Sequence, residues 1–103
     1  MKLLTLQDIK AHCRIDGTEE DSQLTMYGES AEDTLAQYLN RGKTVDDMLE
    51  SLRTEYGKVP TSITHAALML VDVSYQYRSP INPANISLVP YAFDLLVKPY
   101  VIL

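Results

Sequence analysis

Between Pro60 and Arg78 the chain is apolar on almost every side of a helical wheel. Ile63, Ala66, Ala67, Leu70, Val71 and Ser74 make one face, and Leu68, Met69, Val73, Tyr75 and Tyr77 cover much of the rest. Pro60 or Thr61 stands where a helix start tolerates it. A helix that is apolar nearly all round is buried on several sides. In a chain of 103 residues this segment is either the central helix of one domain or a helix whose second face is covered by another subunit.

The remaining elements are amphipathic helices with cap signals. A first helix is expected from about Leu6 to His12, with Thr5 as N-cap and Asp8 three residues on, an acidic variant of the capping box. Asp16-Gly17 reads as the following turn. A second helix is expected from about Glu19 to Asn40, because Leu24, Tyr27, Ala31, Leu35 and Tyr38 recur at helical spacing. Gly42 stands beyond its end, where a left-handed cap is easy for glycine. Gly28 inside it costs about 1 kcal/mol against alanine; it is either tolerated there or marks the close approach of a partner helix. A third helix is expected from about Val45 to Glu55, with Thr44 and Asp47 repeating the cap pattern, and with Gly57 and Pro60 closing it. The apolar helix follows over about 61–78, then a loop from Ser79 to Asn85, and a short helix from about Pro90 to Val97 that Pro99 breaks. Only Ile86–Val89 carries an extended pattern. The reading is an all-α single domain, residues 1–103, of four to five helices.

Charge is unevenly placed. The chain carries 9 Lys+Arg against 14 Asp+Glu, a net charge of −5. Seven acids and no base lie between Asp16 and Asp33, and residues 59–103 balance to zero. An acidic chain with no basic footprint is a poor sequence-reading nucleic-acid binder. Glu29, Glu32 and Asp33 form the candidate acidic face of the second helix. Cys13 is the single cysteine, which excludes a disulfide framework and points to a reducing compartment. No run is long and apolar enough to span a membrane, and Asp8 and Lys10 interrupt the apolar start before it becomes a signal peptide. The chain is expected to be made and kept in the cytosol.

Sites for chemistry are sparse. From Asp16 an EF-hand loop would need glycine at its sixth position and glutamate at its twelfth, where Asp21 and Tyr27 stand. The acids there suit the first turn of a helix instead. His12 and Cys13 point about 100° apart on a helix and do not converge on one ion. The four glycines are scattered, so no phosphate loop exists. No cofactor, metal or catalytic residue is expected. His65, Asp72 and Gln76 share one strip of the apolar helix, which is either its solvent side or a polar seam against a partner. Tyr27, Tyr38 and Tyr56 sit on core stripes. The apolar ending, Tyr100-Val101-Ile102-Leu103, either folds back on its own core or docks on a neighbouring subunit. The candidate interface is therefore Leu68, Met69, Asp72, Tyr75, Tyr100, Val101, Ile102 and Leu103.

The order of these features resembles a known family. Leu4-Thr5-Leu6-Gln7-Asp8-Ile9-Lys10, then Arg14-Ile15-Asp16, then Glu20-Asp21 and Leu24, is similar to the opening of the head–tail connector proteins of tailed bacteriophages. Val59-Pro60, Ile63, Ala66 to Val71, and Tyr75 with Arg78 resemble a second signature of that family. Val89-Pro90, Leu95-Leu96 and Pro99-Tyr100 resemble a third. Val101-Ile102-Leu103 departs from it, since members often carry a basic residue after the final Pro-Tyr. The resemblance implies a small helical protein that forms a ring beneath the portal. Such a ring binds later head-completion or tail proteins, lets DNA pass, and ends in the virion after synthesis in the host cytoplasm. The rival readings are a small cytosolic dimeric adaptor working through the apolar helix, and an enzyme subunit or metal-dependent hydrolase.

Overall fold

The computed structural model describes residues 1–76 and 89–102, and these form an all-α fold with no strand among them. In chain order the helices are α1 (Leu6–Cys13), α2 (Asp21–Leu39), α3 (Val45–Tyr56), α4 (Thr61–Gln76) and α5 (Val89–Val97), followed by a 3₁₀ turn at Lys98–Tyr100. The segment expected as a loop, the extended pattern at Ile86–Leu88, and the end of the apolar helix at Tyr77 and Arg78 lie outside the described residues.

The threonine caps form as their spacing implies. Thr5 Oγ1 accepts from Asp8 N at 3.0 Å and Asp8 Oδ2 accepts from Thr5 N at 3.2 Å, a complete capping box. Thr44 Oγ1 accepts from Asp47 N at 3.1 Å, while the Asp47 carboxylate accepts instead from Lys43 N at 3.3 Å. Gly57 ends α3 in the left-handed region, φ 82°, with its N–H on Arg53 O.

Two boundaries differ from the sequence reading. The first helix, expected to about His12, runs to Cys13 and turns on Arg14 at φ 59°, and the left-handed cap of the second is Asn40 at φ 55°, not Gly42. Asn adopts the left-handed region more readily than most residues. Gly42 answers a different demand: at φ 134° a side chain there would be strained, and its Cβ would collide with Cβ of Asp47. The second helix also begins later than expected, so of Glu19, Glu20 and Asp21 only Asp21 occupies its first turn. Asp21 pairs across to Lys10 of α1 at 2.6 Å.

One apolar cluster gathers side chains from every helix. α4 packs against α2, α5 and α1, which is why its sequence is apolar all round. Its closest face is Ile63, Ala66, Ala67 and Val71, all fully buried. Neither Ala66 nor Ala67 has any exposed surface, so a larger side chain at either place must displace the neighbours packed on α4. From Ala66 to Tyr75 no residue of α4 is exposed.

The tyrosine expectation is corrected. Tyr27 is half-buried, but Tyr38 and Tyr56 are exposed rather than core. Each lays a ring edge on the fold and keeps its polar end outside, as amphipathic aromatics do. Tyr38 stands edge-on to Phe93 with its hydroxyl on Asp94, and Tyr56 stands edge-on to Tyr100.

The full burial of Ala67 predicts that Ala67→Leu lowers unfolding free energy by about 1–3 kcal/mol through overpacking, although leucine is nearly as good a helix former. Denaturant unfolding should show a lower midpoint at an unchanged slope.

Candidate assembly surfaces

The acidic face of α2 divides in two. Glu29 and Asp33, four residues apart, are exposed together. Glu32 is not part of that face: it is 2% exposed and lies in line with buried Gly28, Ala31 and Leu35. Glu32 therefore drops out of the candidate acidic face of the second helix. Helical spacing carried the signal, since Glu32 falls four residues after Gly28 and four before Ala36.

A buried carboxylate needs partners, and Glu32 finds them in backbone. Its Oε1 accepts from Lys2 N at 2.9 Å, and its Oε2 accepts from Leu3 N at 3.1 Å and Leu4 N at 2.8 Å. Three main-chain donors thus surround one charge, which holds Met1–Leu4 across α2. Leu4 enters the core. The Met1 thioether lies where a Cβ on Gly28 would stand, and the Ile9 methyl is 2.8 Å from that point. Gly28 thus marks a close approach, made by the Met1 and Ile9 side chains. The Lys2 ammonium reaches Asp46 of α3 in an exposed ion pair.

The outer residues of α4 are less open than a free interface. Leu68, Met69, Asp72 and Tyr75 are all half-buried, and Leu68 and Tyr75 pack against the core cluster. Asp72 turns to α1, with Oδ1 3.8 Å from Cys13 Sγ and Oδ2 3.8 Å from His12 Nε2. His12 and Cys13 thus reach different oxygens of one carboxylate, while His65 stands exposed. Burial first, and the Asp72 charge and hydrogen bond second, push the Cys13 thiol up from its ordinary value and keep it protonated. Among the described residues no group of three His, Cys, Asp or Glu side chains could hold a metal ion.

The C-terminal segment is clasped by its own chain. Ile102 N donates to Leu39 O at 3.0 Å and Asn40 Nδ2 donates to Ile102 O at 3.1 Å. Arg41, nearly buried, donates from Nε to Tyr100 O at 2.7 Å and from Nη1 to Ser51 Oγ and Glu55 Oε2 at 3.1 and 2.6 Å. Its guanidinium also lies over the Tyr56 ring, 5.6 Å from the centroid. Tyr100 and Val101 are half-buried against the core, so in this fold they are internal contacts rather than a free docking surface; Ile102 remains exposed. Leu103 lies outside the described residues. The sequence reading missed Arg41, because Asn40-Arg41-Gly42 reads only as a helix end.

Among the described residues the most exposed large aliphatic side chains are Leu95 on α5, 63% exposed, and Met26 on α2, 57% exposed. Neither was expected as a surface residue. Leu95 lies on a short helix whose Phe93 and Val97 face inward, so alternation around the helix sends it outward.

The Glu32 cradle predicts that Glu32→Gln destabilises the fold by about 2 kcal/mol, because an amide must point a donor at main-chain donors. The exposed neighbour change Asp33→Asn should stay within about 0.5 kcal/mol. Thermal unfolding separates the two, and amide exchange at Leu3 and Leu4 should rise only in the Glu32 variant.

No helix among the described residues is long and apolar enough to cross a membrane. No curated protein and no solved structure matches the chain. A family model does match, described as Phage gp6-like head-tail connector protein, over residues 3–100. That span takes in every helix among the described residues, Glu32 and Arg41, and the chain therefore belongs to the phage gp6-like head–tail connector family.

Proposed function

We propose that this protein assembles as a ring beneath the portal at the capsid vertex, joins the head to tail or later head-completion proteins, and lets the genome pass through its centre. The observation that carries the reading is the family match across residues 3–100. Its site of action is the head–tail junction of the virion, after synthesis in the bacterial host cytoplasm. Its partners are further copies of itself, the portal protein and the next head-completion or tail protein.

Surface chemistry supports this reading. Exposed Leu95, Met26 and Ile102 are costly to leave in water and suit subunit or partner contacts. The half-buried outer side of α4, at Leu68, Met69 and Tyr75, would extend such a contact if subunits close on it. In a ring each contact is heterologous, joining one patch to a different one on the next copy. Exposed Glu29 and Asp33 on α2 form the channel-facing pair: a wall that repels phosphate lets DNA slide instead of gripping it.

Light scattering across a concentration series, with electron micrographs of the same samples, should show closed rings with a central hole. A stable, concentration-independent dimer would instead favour the small dimeric adaptor. The double change Glu29→Lys with Asp33→Lys should leave ring assembly intact and slow genome delivery. Normal delivery by phage carrying it would remove α2 from the channel.

A further inference from the structure

One side of α3 carries Asp47, Glu50, Thr54 and Glu55, positions that helical spacing places together. With Arg41 and Ile102 they line an open groove of about 410 Å³. Three carboxylates thus share the groove with one base, and that base is largely committed inside the fold. Arg41, its side chain 3% exposed, donates from Nε to Tyr100 O and from Nη1 to Ser51 and Glu55. Its Nη2 has no acceptor among the described residues and is not sealed from solvent, so its donors open on the groove that Arg41 lines. Glu50, on the opposite side of the charge balance, is exposed and has no side-chain partner among the described residues.

These demands conflict for a simple ion. An inorganic cation suits the carboxylates and is repelled by the guanidinium, while an anion suits Nη2 and is repelled by three carboxylates. A ligand that answers both carries cations together with a neutral carbonyl acceptor, as a peptide with basic side chains does. The dimensions agree. Asp47 to Glu55 covers roughly 12 Å of helix axis, which an extended chain crosses in about four residues. Alternate side chains of such a segment point to opposite sides. Lysines at every second position then meet the α3 carboxylates, aliphatic side chains between them meet exposed Ile102, and a carbonyl reaches Arg41. We propose that this groove is a docking site for an extended basic segment, with cations at alternate positions, of a partner of different sequence. Charge complementarity names the segment, and a second copy does not supply it: among the bases of this chain only Arg41 and Lys43 stand two apart, and Arg41 is nearly buried. The inference gives a chemistry to one partner contact of the head–tail reading and rests on that reading.

The probe is a labelled Lys-Leu-Lys-Leu peptide, capped at both ends and titrated into the full chain, with ¹H–¹⁵N spectra locating the contact. One peptide should bind per chain, shifting the Arg41 Nε–H and the amides of Glu50, Thr54 and Ile102 while leaving those of Glu29 and Asp33 in place. Glu50→Lys should weaken binding about tenfold, because like charge then meets like. Asp33→Lys makes the same change of net charge on α2 and should leave binding unaltered. A peptide with glutamate in place of lysine should not bind, and spermine, which has cations and no carbonyl, should not compete. Failure to saturate, equal weakening by the two variants, or displacement by spermine would overturn the groove and leave only attraction to a net-acidic chain. Light scattering on the same samples reads assembly separately. Rings that ignore the peptide would overturn this inference alone, and a chain that binds it as a stable dimer would support the groove and overturn the ring.

Discussion

The fold depends on α4 being buried from three sides at once. The 16-residue α4, with Ile63, Ala66, Ala67 and Val71 fully buried, packs against α2, α5 and α1. Burying apolar surface stabilises by roughly 25 cal/mol per Å², so the chain gains most by wrapping shorter helices around this one. That arrangement uses nearly all the apolar surface of α4 inside one copy. The large aliphatic side chains still exposed among the described residues lie further out, at Leu95, Met26 and Ile102.

α2 then acts as the spine to which the outer segments are tied. Midway along it, Glu32 and Gly28 hold Met1–Leu4; at its end, Leu39, Asn40 and Arg41 hold Tyr100–Ile102. Both fastenings use one nearly buried charge: Glu32 accepts from three backbone N–H groups, and Arg41 donates to the Tyr100 carbonyl and to the Ser51 and Glu55 side chains. Buried ionic groups of this kind contribute less net stability than their hydrogen bonds imply, because desolvation offsets much of the gain. Their effect is geometric: each fixes a segment that apolar packing alone would leave free to slide. For a protein that must present fixed surfaces to several neighbours, fixed outer segments matter more than a few additional kcal/mol.

The helices were legible in the sequence because their signals are local. Thr5 with Asp8, Thr44 and Gly57 act within one turn, and the 3.6-residue stripe of α2 places Leu24, Ala31 and Leu35 inside without knowledge of the partner helix. The misreadings involve residues whose fate neither charge grouping nor a cap pattern sets by itself. Gly42 looked like the cap of α2, but Asn40 turned first, and the glycine was needed against Asp47. Tyr38 and Tyr56 fit the core stripe by spacing, yet their hydroxyl-bearing ends keep them at the surface beside Phe93 and Tyr100. Glu32 was grouped with Glu29 and Asp33 by charge, when its position relative to Gly28 and Ala36 set it inside. Arg41 had no local signal, because its acceptors lie 10, 14 and 59 residues away.

Moving Glu32 inward also changes what the acidic half of the chain can do. The excess of acid over base lies in residues 1–58, and in a solvated wall each carboxylate would add to the field. A buried carboxylate surrounded by N–H dipoles is instead answered locally and adds little outside. The outward field of α2 is then set by Glu29 and Asp33, while the Lys2–Asp46 and Lys10–Asp21 pairs neutralise acids on either side of it. At physiological salt such a pair acts over roughly 8 Å. That range confines the field of this face to whatever comes into contact with it, so its charge acts on a docked neighbour and not on a distant one.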